Sequence, residues 1–524
     1  MRLTDLIVAL PITIARGAAE GVRITDLTED SRTVLPGSLF VARPGLRSDG
    51  TAFVPDAIEA GAVAVLLQAT TPVDRVPDGP VLLVCDDVRT VTAHLAERMH
   101  GSPSKRLLLT GVTGTNGKST VAHLVHGLLN RCGIRCGLIG TVGVDDGNGF
   151  APASMTTPPA IEISRTLATM VDAGCDAAVM EVSSHALDQR RADGLAFDCA
   201  VFTNITGDHQ DYHPTFEHYL ASKQRLLGLL NDEAPGVLNA DDPRVASSAP
   251  RIRSGRAVLC SNASDDSTRG RTDWTVERGV PSIEGESLRI RHASGYEIVG
   301  TIPLIGAFNA MNACQAIAAA WTILDRAGVD ERDRAHRLSD ALSLATAPKG
   351  RLEPVHAPGD DLAVFVDYAH TDDALDRVLA TLRAVTDAEL TAVFGAGGDR
   401  DRAKRPRMGA AAARHADRIV LTSDNPRSEP PSGIVGEIMG GIPADARART
   451  AVHIERARAI REAILTAAPG GAVIIAGKGH ETDQVSADDA GRPVVVRFVD
   501  QEVARAALAA RRDAWRVHAA EGSG

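Results

Sequence analysis

The stretch GVTGTNGKST, which begins at Gly111, constrains the fold of this chain more than any other. It follows the apolar run RLLLTGV, which is typical of a buried strand, and precedes STVAHLVHGLLN, whose apolar residues have helical spacing. The usual phosphate-loop pattern G-x-x-x-x-G-K-[ST] fails, because Val112 stands where its first glycine should be. The glycines fall instead at 111, 114 and 117, where they permit positive φ angles and a close approach of the backbone.

Two interpretations of this stretch are open. In the first, a helix that begins at Ser119 points free N–H groups at the loop, Lys118 adds a positive charge, and the loop binds a polyphosphate. The hydroxyl of Ser119 would then hold a Mg²⁺ that bridges the phosphates. In the second, the stretch is only a glycine-rich turn that Ser119 caps.

Lysine is scarce in this chain, with six residues among 56 lysines and arginines. Where arginine is preferred so heavily, a retained lysine is more often needed for its compact charge or its reactive amine. Four of the six fall inside motifs that carry chemistry, namely Lys118, Lys223, Lys404 and Lys478.

Length and composition exclude several classes of protein. A chain of 524 residues is long enough for about three domains. The net charge of −11 argues against nonspecific nucleic-acid binding, which needs a broad basic surface. Seven cysteines without a C-x-x-C pair indicate reduced thiols in a cytoplasmic protein and no zinc site. We expect no signal peptide and no membrane span, because no stretch approaches 18 uninterrupted apolar residues.

Alternating apolar runs and helical patterns predict an α/β fold with three domains. Residues 1–104 form a small N-terminal α/β domain. Residues 105–347 form a central domain with a mostly parallel sheet that carries the phosphate loop. Residues 348–524 repeat the same alternation and predict a C-terminal Rossmann-like sheet.

Polar residues follow several of the predicted strands, and Glu181 is the most informative of them. Ligands of open α/β sheets bind at the carboxyl ends of the strands, so Glu181 should converge with the phosphate loop. Its carboxylate offers the hard oxygen that Mg²⁺ prefers. The alternative is that this region is a helix N-cap, since Ser183 and Ser184 precede a helical pattern, and both roles are compatible.

Three histidines in the segment TNITGDHQDYHPTFEHYLASK, His209, His213 and His218, raise the question of a zinc site. No cysteine or clear ligand spacing supports zinc, so we expect His213 and His218 to be surface residues. Lys223 in the same segment would be repelled by a Mg²⁺, unless phosphates lie near it or its amine is chemically converted.

The ordered motifs resemble those of the Mur ligase family of peptidoglycan synthesis, and most closely its members that add meso-diaminopimelate. The resemblance covers nearly the whole chain and rests on DSRTVLPGSLFVARPG, GVTGTNGKST, MTTPP, EVSSHALDQRR, TNITGDHQDYH, YLASK, NADD, GAFNAMNA, GRLE, VDYAHTDDAL, FGAGGDRDRAKRPRMG, SDNPR and GKGHE. It implies that GTNGKS is a variant phosphate loop. It also implies an N-terminal domain for a UDP-linked substrate, a central ATP-binding domain and a C-terminal amino-acid-binding domain.

The resemblance further implies an ATP-dependent ligase of cytoplasmic peptidoglycan precursor synthesis. The terminal carboxylate of UDP-N-acetylmuramoyl-L-alanyl-D-glutamate, a UDP-muramoyl dipeptide, would form an acyl phosphate, which the amine of meso-diaminopimelate then attacks. The partners would be these small molecules, without nucleic acid or membrane, and the enzyme would be a monomer.

Site residues follow from the resemblance, position by position. ATP would be bound by Gly114, Thr115, Asn116, Gly117, Lys118, Ser119, Thr120, Asn309, Arg351 and Asp367. Magnesium would be held by Ser119, Glu181, His209 and Lys223, the last as a carbamate formed with CO₂, and the catalytic residues would be Lys118, Lys223 and His209. The UDP-linked substrate would contact Ser31, Arg47, Ser48, Asp49, Thr156, Thr157, Ser183, Gln189 and Arg191. Diaminopimelate would contact Arg400, Asp424, Asn425, Pro426, Arg427, Gly477 and Glu481.

Rival functions remain open from the sequence. Within the ligases they are a lysine-adding Mur ligase and a folylpolyglutamate synthase. Outside them the rival is a regulatory protein that uses the phosphate loop as a nucleotide-driven switch. Arg427 favours diaminopimelate over lysine, because a guanidinium can meet the additional distal carboxylate with two parallel hydrogen bonds.

Overall fold

The computed structural model describes residues 1–45, 49–206, 212–252, 255–262, 272–488 and 491–521. By its internal contacts the chain divides into two compact units. The first unit comprises Met1–Val276, Ile290–Ile298 and Met311–Ala341, and the second comprises Glu277–Arg289, Val299–Ala310 and Leu342–Gly524. The predicted α/β fold is confirmed, and the domain boundaries at 104 and 347 stay a prediction.

The first unit begins with a five-stranded sheet of order β1-β5-β4-β3-β2. Its strands are β1 (Thr13–Arg16), β2 (Asp26–Thr28), β3 (Ser38–Val41), β4 (Ala64–Gln68) and β5 (Val81–Cys85), and its helices are α1 (Leu3–Ile7), α2 (Val54–Glu59) and α3 (Val88–Met99). Strands β2 to β5 are parallel, and β1 is an antiparallel edge strand. Strands β3 and β4 are buried almost throughout, and their alternating residues pack into hydrophobic clusters on both faces of the sheet.

An eleven-stranded sheet follows, of order β16-β15-β14-β13-β12-β11-β6-β10-β7-β8-β9. Its strands are β6 (Leu108–Thr113), β7 (Cys136–Ile139), β8 (Val144–Asp145), β9 (Phe150–Ala151), β10 (Ala177–Glu181), β11 (Cys199–Phe202), β12 (Gly236–Asn239), β13 (Ala257–Asn262), β14 (Trp274–Arg278), β15 (Glu286–His292) and β16 (Glu297–Ile302). The helices of this region are α4 (Lys118–Arg131), α5 (Ala160–Asp172), α6 (Ser184–Asp188), α7 (Phe216–Gln224), α8 (Pro243–Ala246), α9 (Ala307–Arg326) and α10 (Glu331–Ser343). Strands β7, β10, β6, β11, β12, β13 and β14 are parallel neighbours in that order.

Strand β6 lies between β10 and β11, so the carboxyl ends of these three strands meet at one edge of the sheet. The first glycine of the glycine-rich stretch, Gly111, lies within β6 and not in the loop. A Cβ at this position would lie 2.8 Å from the ring of Phe197, so packing against the strand requires glycine. The sheet therefore delivers the loop after β6 next to Glu181, the last residue of β10.

The second unit contains a six-stranded sheet of order β17-β18-β22-β19-β20-β21 and a separate two-stranded sheet. The strands are β17 (Glu353–Pro354), β18 (Ala363–Asp367), β19 (Leu390–Phe394), β20 (Arg418–Leu421), β21 (Thr450–Val452) and β22 (Ala472–Ala476), then β23 (Asp483–Ala487) and β24 (Pro493–Arg497). The helices are α11 (Asp372–Arg383), α12 (Lys404–His415), α13 (Pro431–Gly440), α14 (Ala444–Arg447), α15 (Arg456–Thr466) and α16 (Asp500–Glu521). Strands β18 to β22 are parallel, whereas β17 is antiparallel.

All seven cysteines are buried and free, as expected for reduced thiols. In the parts of the chain that the structure describes, the helices are too short or too polar to cross a membrane.

A buried ion pair holds two strand ends of the second sheet. Arg456 and Asp500 are both fully buried, and the guanidinium donates two bonds of 2.7 Å to the carboxylate. The same guanidinium donates to the carbonyl of Ser423, which follows β20, and to that of Ala476, which ends β22. The first residues of α15 and α16 are thereby tied to the edge of the sheet that carries Asp424.

We predict that Asp500→Ala lowers the free energy of unfolding by about 3–5 kcal/mol, because it leaves a buried guanidinium without its counter-ion. Glu502→Ala is the control, since Glu502 pairs with Arg497 on the surface, where solvent screening leaves such a pair little effect on stability. Urea unfolding of both variants measures the difference. Equal losses in the two variants would show that the buried pair does not hold the unit together.

Candidate active site

The glycine-rich loop of the first unit leads directly into helix α4. The helix begins at Lys118, and its N-cap residue is Gly117 with φ +84°, without a side-chain capping bond. The hydroxyl of Ser119 donates instead to Oε2 of Glu181 at 3.0 Å. This contact does not support the interpretation of the stretch as a turn capped by Ser119.

Two glycines of the loop are required by sterics. Gly114 has φ +144°, and a Cβ there would lie 1.9 Å from Oγ1 of Thr203. A Cβ at Gly117 would lie 2.5 Å from Oδ1 of Asn312. Any side chain at either position would clash with these neighbours, so this loop conformation requires glycine at both positions.

The remaining loop residues are fixed by their neighbours. Nζ of Lys118 donates to the carbonyls of Gly114 and Thr115 at 3.1 and 3.0 Å. Oγ1 of Thr115 lies 2.8 Å from the hydroxyl of Tyr219, and the backbone N–H of Asn116 donates to Oδ1 of Asn204 at 3.0 Å. Thr120, in the first turn of α4, is buried.

A second lysine reaches the same loop from another element. Lys223 lies in the last turn of α7, is only 1% exposed, and donates from Nζ to the carbonyl of Gly114 at 2.7 Å. Its ammonium lies 4.7 Å from the ring centroid of Tyr219. The side chains of Lys118 and Lys223 therefore converge on one carbonyl oxygen.

Glu181 is buried beside the start of α4. It accepts hydrogen bonds from the backbone N–H and the hydroxyl of Thr141 at 2.7 and 3.1 Å, besides the bond from Ser119. A hydroxyl and a carboxylate side by side fit a hard cation such as Mg²⁺, together with ligand phosphates. Among the residues that the structure describes, no three histidine, cysteine or acidic side chains form a metal-binding group, and His209 lies outside them.

The expectation that His213 is a surface residue is wrong. His213 is 2% exposed, and its ring packs against Tyr212, His218 and Tyr219 with centroid distances of 4.9–5.2 Å. His218 is partly exposed and lies 3.3 Å from Asp188. The cluster supports α7, the helix that carries Lys223.

Five residues predicted for the UDP-linked substrate follow β9 and β10. The backbone N–H of Ser183 donates to Oγ1 of Thr157 at 3.1 Å, and Arg191 donates to the carbonyl of Thr157 at 2.5 Å. Arg191 also donates to Oε1 of Gln189 at 2.7 Å, and burial lowers the pKa of Arg191. Ser183 caps α6, so its cap role is confirmed. The fifth residue, Thr156, bonds Thr141 through its hydroxyl at 2.9 Å.

Two of the other predicted substrate residues lie on connections between strands of the five-stranded sheet. Ser31 begins a short 3₁₀ turn, and Asp49 caps another by accepting the N–H of Thr51 at 3.0 Å. Arg47 and Ser48 lie outside the described residues.

Three residues of the second unit are predicted to contact the nucleotide, and each of them is held by contacts with its own neighbours. Asn309 is buried and donates to the carbonyl of Ile305 at 3.0 Å. Asp367 ends β18 and accepts two backbone N–H bonds of 2.6 and 2.8 Å. Burial raises the pKa of Asp367, and the charge of Arg351 opposes that shift. The guanidinium of Arg351 lies 5.0 Å from the ring centroid of Tyr368.

The predicted amino-acid site gathers at the carboxyl ends of β20 and β22. Gly477 has φ +116°, and a Cβ there would lie 2.3 Å from Oδ2 of Asp424. Nδ2 of Asn425 donates to Oε2 of Glu481 at 2.7 Å. The motifs SDNPR and GKGHE thus form one polar cluster, although 52 residues separate Asp424 from Gly477 in the sequence.

Arg427 turns the chain immediately after Pro426, which is buried. Its φ of +50° is a left-handed conformation that side-chain-bearing residues seldom adopt. Nη1 of Arg427 donates to the carbonyl of Gly398 at 2.7 Å, next to the loop that carries the exposed Arg400. Strain of this kind is often found in residues that bind ligands.

Lys478 has no role predicted from the sequence, and the structure places it within this polar cluster. Lys478 is fully buried and donates to Asn425 and Glu481 at 3.2 Å each, and to the carbonyl of Asp483. The scarcity of lysine was the one signal that pointed to it.

Comparison with known proteins gives matches along most of the chain. Three family models match: "Mur ligase family, catalytic domain" at residues 23–98, "Mur ligase middle domain" at 112–320, and "Mur ligase, glutamate ligase domain" at 350–479. A UDP-N-acetylmuramoyl-L-alanyl-D-glutamate–2,6-diaminopimelate ligase of Synechococcus elongatus is 41% identical over 98% of this chain and 100% of its own length. The enzyme of the same name from Chlorobaculum tepidum is 41% identical over 97% of both chains. A solved structure of a ligase with the same name superposes on this chain with a TM-score of 0.69 at 31% sequence identity. The match covers 98% of this chain and 99% of the chain in that structure.

We predict that Gly114→Ala weakens ATP binding about tenfold or more, because strain of about 1–3 kcal/mol per residue is added at a positive φ. Gly228→Ala is the matched control, since a Cβ there meets no atom within 4 Å. Calorimetric titration of both variants with ATP and magnesium measures the effect. Equal affinities in the two variants would exclude this loop from nucleotide binding.

Proposed function

The chain belongs to the Mur ligase family of ATP-dependent, peptide-bond-forming ligases, and we propose that it joins meso-diaminopimelate to UDP-N-acetylmuramoyl-L-alanyl-D-glutamate. The observation that carries the proposal is the convergence of Lys118 and Lys223 on the carbonyl of Gly114, beside the Ser119–Glu181 pair. Two cations and a carboxylate at a glycine cradle suit the transfer of a phosphoryl group. We further propose a monomer that works in the cytoplasm on small molecules.

The reaction proceeds in two steps that balance without a protein nucleophile. The terminal carboxylate of the UDP-muramoyl dipeptide attacks the γ-phosphorus of ATP, which forms an acyl phosphate and releases ADP. The amine of meso-diaminopimelate then attacks the acyl carbon, loses a proton and expels phosphate. Lys118 neutralises the charge that develops on the transferring phosphoryl group.

Four groups would hold magnesium: Ser119, Glu181, His209 and Lys223 as a carbamate. The ion, when bound, neutralises negative charge on the phosphates. Lys223 suits the carbamate because its buried amine lies at the loop, and addition of CO₂ converts a cation into an anionic oxygen donor.

The substrate groups would be recognised by charge and by hydrogen bonding. Arg191, Thr157 and Ser183 offer a guanidinium and hydroxyls, which suit the pyrophosphate or carboxylate oxygens of the UDP-linked substrate. Arg427 would meet the distal carboxylate of diaminopimelate with two parallel bonds, while Glu481 balances the distal ammonium.

We predict that the purified protein prefers meso-diaminopimelate to L-lysine by as much as about four orders of magnitude in kcat/KM, because lysine leaves the guanidinium unpaired. Arg427→Ala should lose most of its activity with diaminopimelate, whereas Arg497→Ala, a surface arginine paired with Glu502, should keep it. Steady-state kinetics with each amino acid measures both effects. Comparable kcat/KM values for the two amino acids in the unmodified protein would contradict the assigned substrate.

We predict that Lys223→Ala is nearly inactive and regains part of its activity when a small carboxylic acid is added, since a carboxylate can replace the carbamate. Lys118→Ala should be inactive and should not respond to the acid, because its lost group is a cation. The exposed Lys105→Ala is the control with normal activity. Full activity of Lys223→Ala without any additive would contradict the carbamate.

A further inference from the structure

The two arginines predicted to bind diaminopimelate lie on loops that share a buried anchor. Arg405, on α12, is 0% exposed, although its guanidinium carries a full charge. Burial of a charge without partners costs several kcal/mol, so its hydrogen bonds are expected to define a fixed geometry.

The guanidinium of Arg405 holds both loops at once. It forms a two-pronged pair with Glu429, with Nη1 to Oε2 at 2.9 Å and Nη2 to Oε1 at 2.7 Å. Nη2 also donates to the carbonyl of Gly397 at 3.2 Å. Glu429 lies two residues after Arg427, and Gly397 lies three residues before Arg400, so one side chain links both segments.

The carboxylate of Glu429 also binds the backbone of the loop that carries Arg400. Oε1 of Glu429 accepts the N–H of Asp399 at 2.6 Å, and Asp399 has a left-handed φ of +54°. The hydroxyl of Ser428 donates to Oδ1 of Asp399 at 2.6 Å. Between these bonds, Arg427 donates to the carbonyl of Gly398 at 2.7 Å. Two residues with left-handed φ angles are therefore held in this region. Asp399 is bonded directly to the carboxylate of Glu429, and Arg427 is bonded to the neighbouring carbonyl of Gly398.

A second carboxylate supplies an internal comparison. Glu437, on α13, accepts from Nη1 of Arg405 at 2.8 Å and also pairs with Arg402. It thus bonds the same guanidinium as Glu429, but from a helix and not from the loop that carries Arg427. Hydrogen bonds from Arg405 lower the pKa of Glu429 to about 2, so the pair stays ionised at neutral pH.

We propose that Arg405 and Glu429 are positioning residues that set the specificity of the amino-acid site. Their ion pair holds Arg427 in the strained geometry in which its guanidinium meets the distal carboxylate of diaminopimelate. The inference rests on the proposed function, because it concerns selection among amino acids by that site. It assigns a role to residues that do not touch the substrate.

Glu429→Gln and Glu437→Gln in the full-length chain test the inference. Each variant replaces one charged partner of Arg405 by an amide, so a purely structural role predicts similar effects. We expect Glu429→Gln to raise KM for meso-diaminopimelate by about tenfold. The preference for meso-diaminopimelate over L-lysine should also fall by about tenfold, because the loss of one charged hydrogen bond has an effect of this size. KM for ATP should stay within about twofold. Glu437→Gln should keep all of these values within about twofold.

Equal effects of the two variants, or a uniform rise of every KM with an unchanged amino-acid preference, would overturn the inference. If Glu429→Gln does not fold, Ser428→Ala provides the test, because it removes only the exposed link to Asp399. Its preference should fall about threefold, and an unchanged preference in the folded variant would overturn the inference. An unmodified protein without any preference contradicts the proposed function and the inference together, whereas a strong preference that neither variant alters contradicts the inference alone.

Discussion

The carbonyl oxygen of Gly114 accepts hydrogen bonds from two lysines, and this contact defines the candidate active site of the first unit. Lys118 approaches it from α4 at 3.1 Å and Lys223 from α7 at 2.7 Å. Two ammonium groups on one acceptor repel each other unless anions lie close or one of them is converted into an anion. A polyphosphate in the cradle satisfies the first condition, and a carbamate on Lys223 satisfies the second. The pairing of a glycine loop with a buried second lysine therefore already implies anionic chemistry.

The parallel strands of the eleven-stranded sheet position the loop that carries Gly114. Strand β6 lies between β10 and β11, so the loop after it meets Glu181 from one side and Thr203 from the other. The second unit applies the same rule, since β18, β20 and β22 deliver Asp367, Asp424 and Gly477 at their carboxyl ends. The buried guanidinium of Arg456 fixes the ends of β20 and β22, and that of Arg405 fixes the loop after β19. Buried ion pairs of this kind set a geometry at a cost in desolvation, which suits a site that must discriminate between similar ligands.

Local pattern was sufficient to predict the α/β fold and the strand, loop and helix around the glycine-rich stretch. Apolar runs followed by polar residues identified the parallel strands, and glycine spacing identified the loop, because both signals are encoded in neighbouring residues. The burial of His213 and the partners of Lys478 could not be predicted, since they depend on residues that are distant in the sequence. The link between Arg405 and Glu429 also could not be predicted. A run of charges such as RDRAKRPR is typical of a solvated surface, and only the fold shows that Arg405 within it is buried. The roles of individual site residues stay predictions.

We infer that ATP is consumed only when a peptide bond is formed, and a phosphate-release assay tests this coupling. The purified protein is mixed with ATP and magnesium, and then with the UDP-muramoyl dipeptide and meso-diaminopimelate, each alone and both together. We expect rapid phosphate release only when both substrates are present, with one peptide bond formed for each phosphate released. Phosphate release at the same rate without either substrate would exclude a ligase and would instead indicate a nucleotide-driven switch.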